Sequence, residues 1–204
     1  MVNEWFVVRD GLIGAARLPS LARTRSRVSA AELLALLLCG ATSAAAVGLV
    51  KLSLGIPGNA IVLGALPMAL GMALAPRRLA GCTMSAGAVG TAFLLTSLGA
   101  RYGSGAFISL TLFGPMMDLA LRRVQRGWRV YAALVTAGVG ANILALASRA
   151  TTKLLGLDLA GGRPFDSWWL QAIVTYTLCG AVAGLLGAIC WFHFNDRESR
   201  GPRA

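Results

Sequence analysis

The sequence predicts an all-α membrane protein: six transmembrane helices in a compact bundle, preceded by an amphipathic cytoplasmic segment. Three observations predict it. Charged residues make up 13% of the 204 residues and hydrophobic ones 56%, with a mean hydropathy of +0.69, whereas a soluble domain carries roughly 25% charged residues. The stretch KLSLGIPGNAIVLGALPMALGMALAPRR shows the pattern in miniature: a Pro57-Gly58-Asn59 turn, an uncharged run over 60–75, then Pro76-Arg77-Arg78. Such a run must satisfy its own backbone hydrogen bonds in lipid, which makes it a helix. Finally, the basic residues flank the apolar runs, with Lys51 near the end of the first.

Residues 1–28 form a mixed leader in which Trp5, Phe6, Val7, Val8, Leu12 and Ile13 alternate with polar positions and several arginines follow. This pattern suits a short helix lying among headgroups. The membrane domain spans 29–195 and a polar tail covers 196–204. Its first run, 31–54, carries Gly40, Ala44 and Gly48 four apart, a face stripped of bulk that admits a neighbouring backbone. The second, 59–75, contains Pro67, which predicts a kink. The third, 79–98, is rich in Gly and Ala, and the fourth, 104–121, contains Pro115 and Asp118. The fifth, 130–148, contains Asn142, and the sixth, 168–194, opens on the interfacial pair Trp168-Trp169. The longest predicted outer loop, 149–167, mixes Lys153, Asp158, Arg163 and Asp166 with leucines, as a short helix or flap over the outer mouth would.

Six crossings put both ends on one side. Fourteen of the 19 Lys and Arg then fall on the face of the termini and five on the other. The positive-inside bias makes the termini cytoplasmic and the membrane a plasma or inner membrane. The net charge of +11 is explained by these loops and by anionic headgroups, with no nucleic-acid recognition module in the chain. The basic-then-apolar start imitates a signal peptide, and Leu36-Leu37-Leu38-Cys39 imitates a lipoprotein box, but Leu38 is too large for one. The segment is therefore expected to be an uncleaved first helix.

Chemistry-bearing residues are few. Cys39, Cys82, Cys179 and Cys190 lie in apolar runs without a CxxC pair, and His193 is the single histidine. Neither metal nor cofactor is expected to be held by this chain. Ser104 and His193 belong to opposite ends of their helices, there is no phosphate-binding GxxxxGK[ST] loop, and no paired acid motif appears. The sequence therefore predicts a protein that is not an enzyme. Asp118 is the acid deep in a run. Pairing with Arg122 one turn later gives it a structural or partner-binding role, and proton or solute handling is the other reading. Asn142 serves either as glue between helices or as a ligand contact. Asn59, Arg101, Trp168 and Gln171 fall with Asn142 toward the predicted outer ends of their segments, as do Tyr102, Arg149 and Tyr176, and together they supply the donors, acceptors and aromatic faces of a small-molecule pocket.

The segment PGNAIVLGALPMALGMALAPRR, the FGPMMDLALRR segment with its G-x-x-x-D spacing, and the six-helix layout resemble the substrate-binding S components of energy-coupling factor (ECF) transporters. The resemblance covers most of the chain in architecture and these two segments in letters. It implies vitamin or metal-ion uptake from the outer face, and toppling against a transmembrane coupling subunit driven by two ATPases. It also implies an A-x-x-x-A contact with that subunit, a spacing that Ala31 and Ala35 match, as do Ala41 and Ala45. The residues that mark biotin, thiamine, riboflavin or cobalt/nickel specialists are missing, so the substrate stays open.

Two functions follow as expectations. One is a solute-binding membrane subunit using Asn59, Arg101, Asn142, Trp168 and Gln171, with membrane lipid, a coupling subunit and ATPases in trans as partners. The other is a non-catalytic subunit anchoring a larger membrane complex.

Overall fold

The computed structural model describes residues 29–49, 58–75, 79–100, 102–123, 128–156 and 165–199. Among these, every regular element is an α-helix: α1 (Ala30–Leu49), α2 (Ala60–Leu74), α3 (Ala80–Ser97), α4 (Ser104–Arg123), α5 (Trp128–Leu154) and α6 (Phe165–Ser199). The leader 1–28, Arg101, the loop residues 157–164 and the tail from 200 onward lie outside the described residues.

By length and composition α1, α4, α5 and α6 can each cross a membrane. The other two fall short for identifiable reasons. With 15 residues, α2 rises about 22 Å against a hydrocarbon core of about 30 Å. In α3, eighteen residues are available, but Thr83, Ser85, Thr91, Thr96 and Ser97 dilute its hydropathy. At the other extreme, α6 runs 35 residues, about 52 Å, so its polar end continues helically past the 194 boundary read from sequence.

The helices close into a ring in the order α1, α3, α4, α5, α6, α2 and back to α1, with α2 also touching α4 and α3 across the middle. What fills the ring is small or flexible: Ala44, Ala65, Met68, Met72, Met84 and Ala88 are all essentially inaccessible. What faces outward is bulky. Along α6, Leu170, Val174, Leu178, Val182, Leu185 and Ile189 form an exposed stripe, while Ala172, Tyr176, Gly180 and Ala183 turn inward. A protein folding in water buries its largest apolar side chains. Among the described residues, alanines make up half of the buried apolar ones, beside larger ones such as Phe113 and Leu134, while most of the exposed large apolar residues are leucines, the distribution expected when lipid surrounds the chain and helices associate by close backbone approach. This, with the four long apolar helices, marks a membrane-spanning protein.

Backbone-to-backbone contacts carry the ring. A Cβ added to Gly40 would strike the Met84 carbonyl, one on Gly138 would strike Gly180, and one on Gly184 would strike the Leu134 carbonyl. Serine hydroxyls staple two further seams, α1 with α2 and α3 with α4. Ser43 Oγ donates to the Gly64 carbonyl at 2.9 Å, and Ser85 Oγ donates to the Leu110 carbonyl at 3.0 Å. The small-residue face read at Gly40, Ala44 and Gly48 is thus spent inside the fold: Gly40 lies against α3, and Gly48 lies beneath the Tyr102 hydroxyl.

Pro67 and Pro115 both sit inside helices that continue through them. Asp118 does not behave as its spacing to Arg122 suggested. Its carboxylate is buried and reaches across to the start of α3, while Arg122 is exposed. Oδ1 accepts from the Gly81 N–H at 3.0 Å, and Oδ2 accepts from the Cys82 N–H at 2.9 Å. The residue that precedes α3, Leu79, is left-handed (φ 69°) and provides no side-chain cap. Asp118 supplies the missing cap from another helix, placing its charge at the positive end of the α3 dipole.

Candidate functional site

The helices alternate in direction, so the bundle has two ends. One carries Asp118 and the Tyr131–Phe192 stack, with ring centroids 4.8 Å apart. The other gathers most of the residues expected to line a pocket, and it is built around Asn142.

Asn142 is fully buried on α5. Its Oδ1 accepts from Ser109 Oγ of α4 at 3.0 Å. Its Nδ2 donates to the Tyr176 carbonyl of α6 at 2.7 Å and to the Gly58 carbonyl before α2 at 3.3 Å. One amide therefore ties three helices and the turn that begins α2. An asparagine has two N–H donors and one carbonyl, and each finds a protein partner here. The glue role is realised in the structure.

Gly58 takes φ +87°, and a Cβ there would press on Tyr176 at 3.0 Å. Glycine is required on both counts. The Tyr176 ring is itself buried, with its hydroxyl end against Gly105 in the first turn of α4. Asn59 follows Gly58 as the residue before α2. It is half-buried, and its backbone carbonyl accepts from Val62 N–H at 3.1 Å.

Beside this knot lies a second one. Trp168 is buried at the start of α6, packed with Ala145, Leu146, Ala150 and Ala172. Lys153 Nζ stands 4.8 Å and Arg149 Cζ 6.0 Å from its ring centroid. Both distances are within the range where an aromatic face attracts a cation. Across the ring, Tyr102 O–H donates to the Ala44 carbonyl at 2.8 Å, and burial pushes its phenol above the ordinary tyrosine value.

Of the five residues expected to line a pocket, the structure thus brings Asn59, Asn142 and Trp168 to one end and buries the last two. Gln171 is at the same end but exposed, and Arg101 lies outside the described residues. Of the expected partner-facing residues, Ala31 is exposed, Ala35 half-buried and Asp118 buried. Sequence reasoning missed Ser109 and, although it put Arg149 and Trp168 at the same end, the stacking of Arg149 and Lys153 on the Trp168 ring. The four-residue spacing of Arg149 and Lys153, which puts them on one helical face, was the available signal for the pair. Ser109 gave none, being one hydroxyl among several in α4. No protein-family model, curated protein or solved structure matches this chain.

Proposed function

We propose that the chain is an integral membrane subunit that binds a small, vitamin-like solute or metal ion at its Asn142 end and hands it to a separate energising module, as ECF S components do. In this reading all six helices cross a plasma or inner membrane, both termini are cytoplasmic and the Asn142 end faces outward. The observation that carries it is the concentration of polar and aromatic side chains at one end of an otherwise greasy ring: Asn59, Tyr102, Asn142, Trp168 and Tyr176, with Arg149 and Lys153 beside them. The start of α1 leaves Ala31 exposed, which suits contact with a coupling subunit. The ATPases would act in trans.

Ligand binding to the purified chain tests this. A solute at 100 times its Kd adds about 2.7 kcal/mol to folding, a shift that a thermal-unfolding panel of vitamins and metal ions would register. Mass spectrometry of small molecules carried through gentle purification would identify it. Silence in both sinks the reading.

A second reading has one observation in its favour. Because every donor and acceptor of the Asn142 amide is used by the protein, that cluster also suits a subunit that binds no solute and anchors a larger membrane complex. Co-purification of a stable multi-subunit assembly, with no small molecule retained, favours it.

A further inference from the structure

On the outside of the ring, at the Asp118 end, α4 and α5 part to leave a groove of about 470 Å³. Its floor is small (Ala120, Ala133, Ala137, Gly140), and Leu119 and Thr136 form exposed walls. Trp128 and Arg129 stand at its mouth, both exposed. Nothing in the solute-binding reading uses this groove.

We propose that the groove holds one acyl chain of an anionic phospholipid whose phosphate is bound by Arg129. Two features select that occupant. The first is depth. From Trp128 to Gly140 α5 rises about 18 Å, close to the roughly 15 Å of one leaflet's hydrocarbon. A lipid tail reaches that far, whereas a partner helix would need a face running the full core. The second is charge. Arg129 stands at the mouth, Arg122, Arg123 and Arg126 lie within seven residues of it in sequence, and the chain holds no Asp or Glu from 119 to 157. An aromatic rim, a basic mouth and an apolar recess between helices together match an anionic headgroup above and its tail below. The inference rests on the chain spanning a membrane and is independent of whether it carries a solute.

The test uses the full chain reconstituted in nanodiscs of mixed phosphatidylglycerol and phosphatidylethanolamine. Brominated tails quench nearby tryptophan, and the difference between wild type and Trp128→Phe isolates Trp128. Brominated phosphatidylglycerol should reach half-maximal quenching at a threefold or more lower mole fraction than brominated phosphatidylethanolamine. Arg129→Gln should remove the preference, and Thr136→Phe, which fills the groove from an exposed position without adding a second tryptophan, should weaken quenching of Trp128 by both lipids. Leu178→Phe, exposed on the neighbouring helix α6 and outside the groove, should leave the preference intact. Native mass spectrometry of wild type should show phosphatidylglycerol or cardiolipin retained above its membrane proportion. Equal quenching by the two lipids overturns the proposal without substituting the groove at all. So does retention in membrane proportion, or crosslinking that places a second copy of the chain in the groove.

Discussion

The carboxylate of Asp118 on α4 caps α3 by accepting from Gly81 N–H at 3.0 Å and, with its other oxygen, from Cys82 N–H at 2.9 Å. That reach depends on glycine on both sides. A Cβ at Gly81 would fall on the Gly114 carbonyl, and one at Gly114 would fall on the Gly81 carbonyl. The spacing Gly114-x-x-x-Asp118 thus encodes a unit: the glycine admits α3, and the aspartate one turn on closes its first N–H groups.

Asp118→Ala should destabilise the bundle by about 2–3 kcal/mol, because hydrogen bonds to a charged group contribute about 1.5–3 kcal/mol and burial leaves the freed amides without water. Thermal unfolding in detergent reads the loss. Arg122→Gln should have little effect, which separates the cap from the ion pair that sequence spacing suggested.

Gly114→Ala and Gly81→Ala should each cost about 1–3 kcal/mol by forcing α3 and α4 apart. In both cases the nearest atom the added methyl meets is a backbone carbonyl oxygen, which cannot swing aside as a side chain can. Gly90→Ala, on the same helix as Gly81 but with no atom within 4 Å of the added Cβ, should be neutral or mildly stabilising. Equal melting temperatures across the three variants would contradict the close approach.

Asn142→Leu should cost about 1–3 kcal/mol by stripping Ser109, Gly58 and Tyr176 of their shared partner. A double-mutant cycle between Ser109→Ala and Asn142→Ala should give a coupling of about 0.6–1.7 kcal/mol, the range for interhelical hydrogen bonds in bilayers. A coupling of zero would mean the two side chains act independently.

The exposed stripe on α6 makes a different kind of prediction. Leu178 is 60% exposed near the middle of its apolar span. Leu178→Ile should be silent, while Leu178→Arg should raise the cost of membrane insertion by about 3 kcal/mol. A glycosylation-mapping insertion assay measures this directly. Unchanged insertion of the arginine variant would place that face in water.

Much of the fold was legible because lipid imposes simple rules. Run length and arginine placement located the helix ends to within about six residues, since a long apolar run in lipid has one sensible state. The order in which helices close the ring was not legible. Contacts such as Gly40 with the Met84 carbonyl and Gly138 with Gly180 are made through backbone atoms, and although spacing singled out the face of Gly40, nothing in the letters names its partner or separates Gly138 from Gly90, where an added Cβ would meet no atom within 4 Å. Asp118 was noticed as an expensive acid, but its partners are backbone amides of another helix, which sequence spacing cannot reveal. Trp168 was read as interfacial from its type, yet it is buried beneath Lys153 and Arg149 because α5 runs on past 148 to Leu154. Asn142 was flagged for the right reason, since an amide in an apolar run must find partners, though not which ones.

The most direct measurement of the central claim is substituted-cysteine labelling with a membrane-impermeant maleimide, after Cys39, Cys82, Cys179 and Cys190 are replaced by alanine. Ala100→Cys and Leu155→Cys, at the Asn142 end, should label in intact cells. Asn3→Cys, Arg77→Cys and Ala204→Cys should label only after permeabilisation. Labelling of Arg77→Cys from outside would mean that α2 and α3 do not cross, and labelling of position 3 or 204 from outside would put the Asn142 end on the cytoplasmic side.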